Sequence, residues 1–411
     1  MRMERTFSPV GQGAFFTEVF INDENNNKRE YFTVVYDCGS LSNLYLPFKT
    51  QMDKVISNSS QIDVFFISHL DADHVNGVEY LIDKGWLNNN TTIVLPFYEN
   101  YQIELLKLVD SRDYSNFFST LKHKNFKIIY FIPYASDDDS EGDVIDIGNW
   151  HAEDNDTSSQ SNHGEYAIVK ELEGSLLKAN TVFRFKEIWE YRPFTMNDSA
   201  SLDFFRKVEE STVIKPKDIE DIFNNVFKNG LRKNKKLKEI KRIYNSVGSQ
   251  RSGDTLININ SLVVISKAIV PVMRCYTNKI TCLWHISLFL PNEKEFKELL
   301  KINGEKHSVC VYTGDINLKN DTDFDKFIKK LRNHCSKDIS LIQLPHHGSA
   351  TSYNERLADI SLACFANFDT RKKTFDKTLP FEFANKNKLL FLITEDRYSE
   401  FYQEVILYCP K

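Results

Sequence analysis

No apolar run in this 411-residue chain approaches 18 residues, so no membrane-spanning helix is expected. Met1-Arg2-Met3-Glu4-Arg5 has no apolar stretch of the kind that opens a signal peptide, and a cytoplasmic location is expected. Cysteine is scarce and odd in number, with seven at positions 38, 275, 282, 310, 335, 364 and 409 and no Cys-x-x-Cys. Several fall in apolar, strand-like runs, which reads as reduced, mostly buried thiols. A Cys275–Cys282 bridge across a hairpin is the alternative. A large excess of one charge is also missing: 52 Lys and Arg stand against 57 Asp and Glu, a net charge of −5. Global charge therefore gives no support for avid, non-specific nucleic-acid binding. Neither a Gly-x-Ser-x-Gly elbow nor a Walker phosphate loop is present to account for a catalytic function.

Aromatic residues are plentiful, with 31 Phe and 18 Tyr, and hydrophobic content of 41% is enough for a large core. The densest chemistry lies in Ile67-Ser68-His69-Leu70-Asp71-Ala72-Asp73-His74. Four metal-ligand types fall between an apolar run at 62–67, which reads as a buried strand, and Gly77 with a helical pattern at 75–84. A tight strand-to-helix turn aims alternate side chains at one point, and imidazole with carboxylate suits a catalytic divalent metal. The bland alternative is a polar loop that caps the helix. Val311-Tyr312-Thr313-Gly314-Asp315 is a second strand with a Gly-Asp corner; alone, Asp315 reads as a turn residue. Leu344-Pro345-His346-His347-Gly348-Ser349 follows a third apolar run. Three rigid strand ends carrying His, Asp and His-His point to a shared metal site.

His-x-Asp-x-Asp-His, Thr-Gly-Asp and Pro-His-His-Gly-Ser, in that order, resemble the metallo-β-lactamase superfamily. Within it the chain is most similar to the metallo-β-lactamase domain of ComEC-type DNA-uptake proteins and their stand-alone soluble relatives. Val10-Gly11-Gln12-Gly13, Val35-Tyr36-Asp37-Cys38-Gly39 and Asn258-Ile259-Asn260-Ser261-Leu262-Val263 resemble further strands of that branch. The ordered set spans roughly residues 7 to 370. Two departures stand out: Asp71 replaces a His found in many members, and Asn258 or Asn260 stands where a further His is usual. Both make the site richer in oxygen. The resemblance implies one or two divalent ions, Zn²⁺ or Mn²⁺, with Mg²⁺ as a further candidate.

Residue type and resemblance together place His69 and Asp71 at one metal position. Asp73, His74 and His346 are placed at the other, with Asp315 bridging. Asp73 also orients the nucleophile, and His347, the histidine left over, protonates the leaving group. Cations held this way lower the pKa of a shared water enough to make it a nucleophile near neutral pH. Asn258, Asn260, Ser261 and Ser349 are candidate substrate contacts.

Strand-like runs at 14–20, 31–37, 62–67, 92–95 and 127–132 form a first set. Runs at 256–266, 281–290, 308–312, 339–344, 361–366 and 389–393 form a second. Helical patterns fall at 42–56, 75–84, 99–109, 112–123, 322–334 and 353–358. Two β-rich halves with outer helices fit an α/β fold, the αββα metallo-β-lactamase sandwich. The halves are expected at 1–135 and 251–411. The segment between them, 136–250, opens acidic, passes through a Ser/Asn-rich loop and shows helical patterns at 198–210, 217–228 and 233–245. It reads as a mostly helical insertion able to overhang the site or dock a partner protein, or as a decorative surface insertion. Trp150, His151 and His163 lie near its start, where exposed loop histidines are the simple reading. Lys228 to Arg242 holds six Lys and two Arg against Glu239 alone. Lys233, Lys235 and Lys236 there are candidate phosphate contacts, with a solvated helix face as the alternative.

The expected function is a metal-dependent phosphodiesterase or nuclease acting on DNA, another nucleic acid or a nucleotide. The alternatives are a hydrolase of a thioester, lactone or lactam, and a subunit of a multiprotein system, for example one directed against foreign DNA, that is inactive or needs its partner.

Overall fold

The computed structural model describes residues 1–22, 30–42, 45–56, 59, 61–96, 117, 120–121, 126–131, 144–147, 174–177, 181–196, 206–213, 238–240, 242–243, 246, 261–278, 308–335, 339–371, 378–386 and 388–408. The first strands are β1 (Arg2–Phe7), β2 (Gly13–Asn22), β3 (Glu30–Ser40), β4 (Val64–Phe66), β5 (Thr92–Pro96) and β6 (Lys127–Phe131). Next come β7 (Val144–Asp146), β8 (Gly174–Leu177), β9 (Val182–Phe185), β10 (Trp189–Thr195), β11 (Leu262–Ala268) and β12 (Val272–Asn278). The last are β13 (Cys310–Tyr312), β14 (Ile339–Gln343), β15 (Ser361–Asn367), β16 (Leu389–Ile393) and β17 (Phe401–Leu407). The helices are α1 (Tyr45–Ile56), α2 (Ala72–Val75), α3 (Val78–Asp83), α4 (Asp321–His334), α5 (Leu357–Ile360) and α6 (Leu379–Asn385).

Strand alternation builds the layers. In β3 and β4, Val34, Tyr36, Val64 and Phe66 point inward, while Val35 and Phe65 point out. One sheet runs β12-β17-β1-β2-β3-β4-β5-β6-β8 and the other β16-β15-β14-β13-β11-β10-β9-β7. Their inner faces share an aromatic-rich core that includes Phe7, Phe16, Phe66, Trp189 and Phe365. α1 and α3 cover the first sheet with Phe48, Met52 and Leu81. α4, α5 and α6 cover the second with Phe327, Leu357 and Phe383. The αββα sandwich expected from the sequence is therefore present.

α4 shows why such helices form where they do. Asn320 caps the Asp323 amide, Asp321 and Asp323 occupy the first turn, and Arg332 and His334 the last. Phe324, Phe327, Ile328 and Leu331 recur at helical spacing and are buried.

Two parallel runs matter for the site. β3, β4, β5, β6 and β8 are mutually parallel, as are β13, β14, β15 and β16. The C-terminal ends within each run thus lie at one edge, where α/β sheets place their ligands.

The strands β7, β8, β9 and β10 lie inside 136–250, where the sequence suggests mainly helix. Phe183, Phe185, Trp189 and Tyr191 bury β9 and β10 against the central core, while β8 and β7 pair at the outer ends of the two sheets. The same segment has helical residues at 206–209 and 238–240, and Val208 and Ile240 pack into the core under α1. The expected strand at 281–290, the helical pattern at 217–228 and most of those at 99–109 and 112–123 lie outside the described residues.

A polar cluster sits between the sheets. Glu18, 2% exposed, accepts from Arg5 Nε at 2.7 Å, from Tyr191 and Tyr312 hydroxyls at 2.7 Å each and from Ser266 Oγ. Arg5 also reaches Gln403 of β17 and the Ser308 carbonyl. Cys38, Cys275, Cys310, Cys335 and Cys364 are free and buried, and burial pushes the Cys310 thiol up to about 12. Among the described residues no helix is long and apolar enough to cross a membrane.

Candidate metal centre

Three strand ends meet at the sandwich edge. Past β4 the chain turns through His69 and Asp71 into α2, which carries Asp73 and His74. Past β13 it turns at Gly314, whose φ of 57° suits glycine, and presents Asp315. Past β14 a 3-10 turn over Pro345–Gly348 carries the paired histidines. His346 and His347 have φ of 49° and 58°, a left-handed conformation that residues with a Cβ rarely adopt. Held strain of this kind concentrates at functional sites.

Backbone contacts lock the three ends together. The Leu262 amide donates to the Ser68 carbonyl at 2.7 Å, tying β11 to the end of β4. Gln343 Oε1 accepts from the Thr313 and Gly314 amides at 3.0 and 3.2 Å, and the His346 amide reaches the Gly314 carbonyl. A Cβ on Gly314 would sit 2.8 Å from Ser68 Cβ, so only glycine allows this approach.

The ligand-type atoms converge. His69, His74 and Asp315 form one triad and Asp73, His74 and His347 another, each with its ligand atoms within 4.8 Å of one another. Asp315 lies between all the imidazoles. Its carboxylate is 3.7 Å from His69 Nε2, 3.3 Å from His74 Nε2, 3.9 Å from His346 Nε2 and 3.9 Å from His347 Nε2. His347 Nε2 is also 3.2 Å from Asp73 Oδ2. Asp71 caps α2 without a side-chain cap bond and stands 3.8 Å from His69 Nε2.

The far sides of the rings are fixed. Asp37 accepts from the Ser68 amide, from Ser68 Oγ and from His74 Nδ1, each at 2.7 Å. Ser68 Oγ spends its proton on Asp37, so at 2.8 Å from His69 Nδ1 it accepts. His69 therefore carries its proton on Nδ1 and turns a bare Nε2 toward Asp315. Ser261 Oγ supports the same nitrogen at 3.3 Å and accepts from the Asp315 amide.

His69 Nε2 and His74 Nε2 are buried and have no hydrogen-bond partner. A polar atom left so is costly unless something else binds it. Two buried imidazole nitrogens, that of His69 bare and that of His74 beside Asp315, match what divalent cations take as ligands once His74 gives up its proton, so the residues fit the implied metal. Electrostatics agree. Burial opposes charge on Asp315, yet the flanking His74, His346 and His347 hold its carboxyl well below the usual range. Burial likewise opposes a charged His74, but Asp315 and Asp37 hold it well above its ordinary value. Burial and the neighbouring His74 push His69 well down.

Of the residues expected from sequence, His69, Asp71, Asp73, His74, Asp315, His346 and His347 come together. Ser261 is fully buried and backs His69 and Asp315. Ser349 ends the histidine turn at the rim, with its hydroxyl 2.9 Å from that of Thr351. Asn258, Asn260, Lys233, Lys235 and Lys236 lie outside the described residues, as do Trp150, His151 and His163. Sequence reasoning gave no role to Asp37 or Ser68. Their signals were an Asp-x-Gly at a strand end and a hydroxyl directly before the first histidine.

No family model matches the chain, and no curated protein matches it. Among solved structures it is similar to the crystal structure of a long form RNase Z from yeast, at 9% identity and a TM-score of 0.33. That superposition covers 89% of this chain and 36% of the other, so the chain spans little more than a third of that structure's length.

Proposed function

We propose that the chain is a metal-dependent hydrolase of the metallo-β-lactamase superfamily, similar to the ComEC-type branch, and that it cleaves phosphodiester bonds in a nucleic acid or nucleotide. The observation that carries this is the meeting of three ordered motifs around Asp315, with two buried imidazole nitrogens, those of His69 and His74, turned toward it. The order and content of the motifs support the branch.

His69 and Asp71 would hold one cation and Asp73, His74 and His347 a second, with Asp315 in reach of either; His74 can serve one ion only, because its Nδ1 is spent on Asp37. Bound divalent ions supply charge stabilisation on a phosphoryl oxygen and acidify water. The chain's own residues do the rest. Asp37 and Ser68 fix the tautomers and ring planes of His74 and His69. Asp73, ionised beside His347, receives a proton. The paired histidines exchange the roles suggested by sequence. His347 is 5% exposed and joins a triad, whereas His346 is 28% exposed and faces the rim. His346 is thus the group able to reach a leaving oxygen and protonate it.

Hydrolysis of bis(p-nitrophenyl)phosphate and of labelled DNA and RNA across Mn²⁺, Zn²⁺ and Mg²⁺, beside thioester and lactone substrates, tests the reading. Metal-dependent phosphodiester cleavage that disappears in Asp73→Ala is expected. Turnover of only the thioester or lactone would overturn it.

A further inference from the structure

The Val10-Gly11-Gln12-Gly13 loop has no role in the chemistry assigned to the metal ligands, yet it is clamped at the same edge. A Cβ on Gly13 would lie 2.9 Å from the Asp73 carbonyl oxygen and 2.2 Å from that of Gly39, so the loop lies directly against the ligand-bearing turn. One residue earlier, the Gln12 amide donates to Ser42 Oγ at 3.3 Å, and the Gln12 carbonyl accepts from the Leu41 amide at 2.8 Å. Ser42 Oγ passes its own proton to Asp369 Oδ2 at 2.9 Å. Asp369, only 3% exposed, then holds Arg371 in a fork: Nε to Oδ1 at 2.8 Å and Nη2 to Oδ2 at 2.6 Å.

A chain of contacts therefore runs from the backbone of Asp73 to a guanidinium, with each member fixed by the one before. Arg371 follows β15, and the paired histidines follow β14. The Leu344 amide still bonds the Phe365 carbonyl at 2.8 Å, so β14 and β15 run side by side up to this edge. A guanidinium has five N–H donors in a rigid fork. Two are taken by Asp369, and Glu395 stands 3.9 Å away. The side chain is 53% exposed, so donors not held by Asp369 are open to solvent, and β15, which precedes Arg371, ends at the same sheet edge as β14.

We propose that Arg371 is a substrate-binding residue that takes a non-bridging oxygen of the phosphodiester, with Asp369 and Ser42 as its positioning residues. This rests on the phosphodiesterase reading of the metal centre. A surface ion pair with no such role would contribute next to nothing measurable. A prepositioned Arg, by contrast, matches a phosphate with two parallel donors, which a Lys point charge does not. The bracket through Ser42 and Gln12 keeps this fork in register with the ligand turn, the rigid support that productive geometry requires.

Steady-state kinetics on bis(p-nitrophenyl)phosphate and on an oligonucleotide test it, with metal content and melting temperature measured in parallel. Arg371→Gln is expected to lower kcat/KM about ten- to a hundredfold, the range of a charge-assisted hydrogen bond, chiefly through KM. Metal content should stay at the parent value. The melting temperature should fall somewhat as the buried Asp369 loses its counter-charge, without unfolding the protein at assay temperature. Arg371→Lys should recover only part of the kinetic loss. Ser42→Ala and Asp369→Asn should raise KM less, and their effects should vanish in an Arg371→Gln background. Parent-like kinetics for Arg371→Gln, in a protein that does cleave phosphodiesters, would overturn the assignment. Absence of phosphodiester cleavage by the parent would instead overturn the functional reading and this assignment with it.

Discussion

At the residue scale, the centre depends on groups that never touch a ligand. Asp37 collects three hydrogen bonds and has a φ of 56°, where asparagine is also tolerated. Asp37→Asn keeps the shape but sets an amide against His74 Nδ1, removing the acceptor that fixes the ring. Affinity for Mn²⁺ or Zn²⁺ is expected to fall about ten- to a hundredfold, read by metal titration, with circular dichroism unchanged. A parent-like titration would show that Asp37 serves the fold only. Asp315→Asn removes a negative charge shared by four imidazoles. Its metal content after dialysis should drop below the parent's; equal content would leave Asp315 as a turn residue. The ligand types themselves were legible in the sequence, because His, Asp and His-His crowded at the ends of apolar strands pack poorly and bind cations well. Which of His346 and His347 points inward was not legible, since that depends on two successive left-handed backbones which residue identity does not announce.

At the element scale, close packing joins strands to site. A Cβ on Gly39 would come within 2.3 Å of the Asp73 carbonyl carbon and 2.4 Å of the His74 nitrogen, so β3 and α2 touch backbone to backbone. Gly39→Ala should lower the urea midpoint and reduce metal content together, because relief of the clash shifts α2. The α4 end gives a pH-dependent case. Burial, then Arg192, Lys267 and Lys330, push His334 down to about 4. Its neutral form is favoured in the fold, so its contribution is present above about 6.5 and is lost as pH falls toward 4. Stability should fall by about 1–2 kcal/mol over that window after allowing for solvent screening. Urea melts at pH 7.5 and 5 should show a smaller acid loss in His334→Gln than in the parent. The strands that form compact apolar runs, such as β3 and β14, were read from sequence. β1 and β17 were not, because Arg5 and Gln403 occupy inward positions and break the apolar pattern. β9 was hidden by its shortness, and β10 by Glu190, Arg192 and Pro193, which interrupt its apolar residues.

At the scale of the whole molecule, the Arg5–Glu18 cluster pins one sheet to the other. It gathers β1, β2 and β17 on one side and β10, β11 and β13 on the other. Glu18→Gln leaves a buried guanidinium without its counter-charge and should cost about 3–5 kcal/mol by urea denaturation. The double change Arg5→Met with Glu18→Leu should cost less than the two single changes summed; strict additivity would mean the pair is not coupled. β1 pairs with both β2 and β17, and Arg5 meets Gln403, which follows 398 positions later. During translation, then, one long flank of β1 stays unsatisfied until almost all of these residues have left the ribosome. The candidate ligand residues, spread from His69 to His347, cannot assemble until late either. A nascent chain with an unpaired strand edge is exposed to aggregation, and the charges of Arg2, Glu4 and Arg5 on β1 oppose it. The sheet that carries β1 therefore closes only when the last strand, β17, arrives to fill the place between β1 and β12.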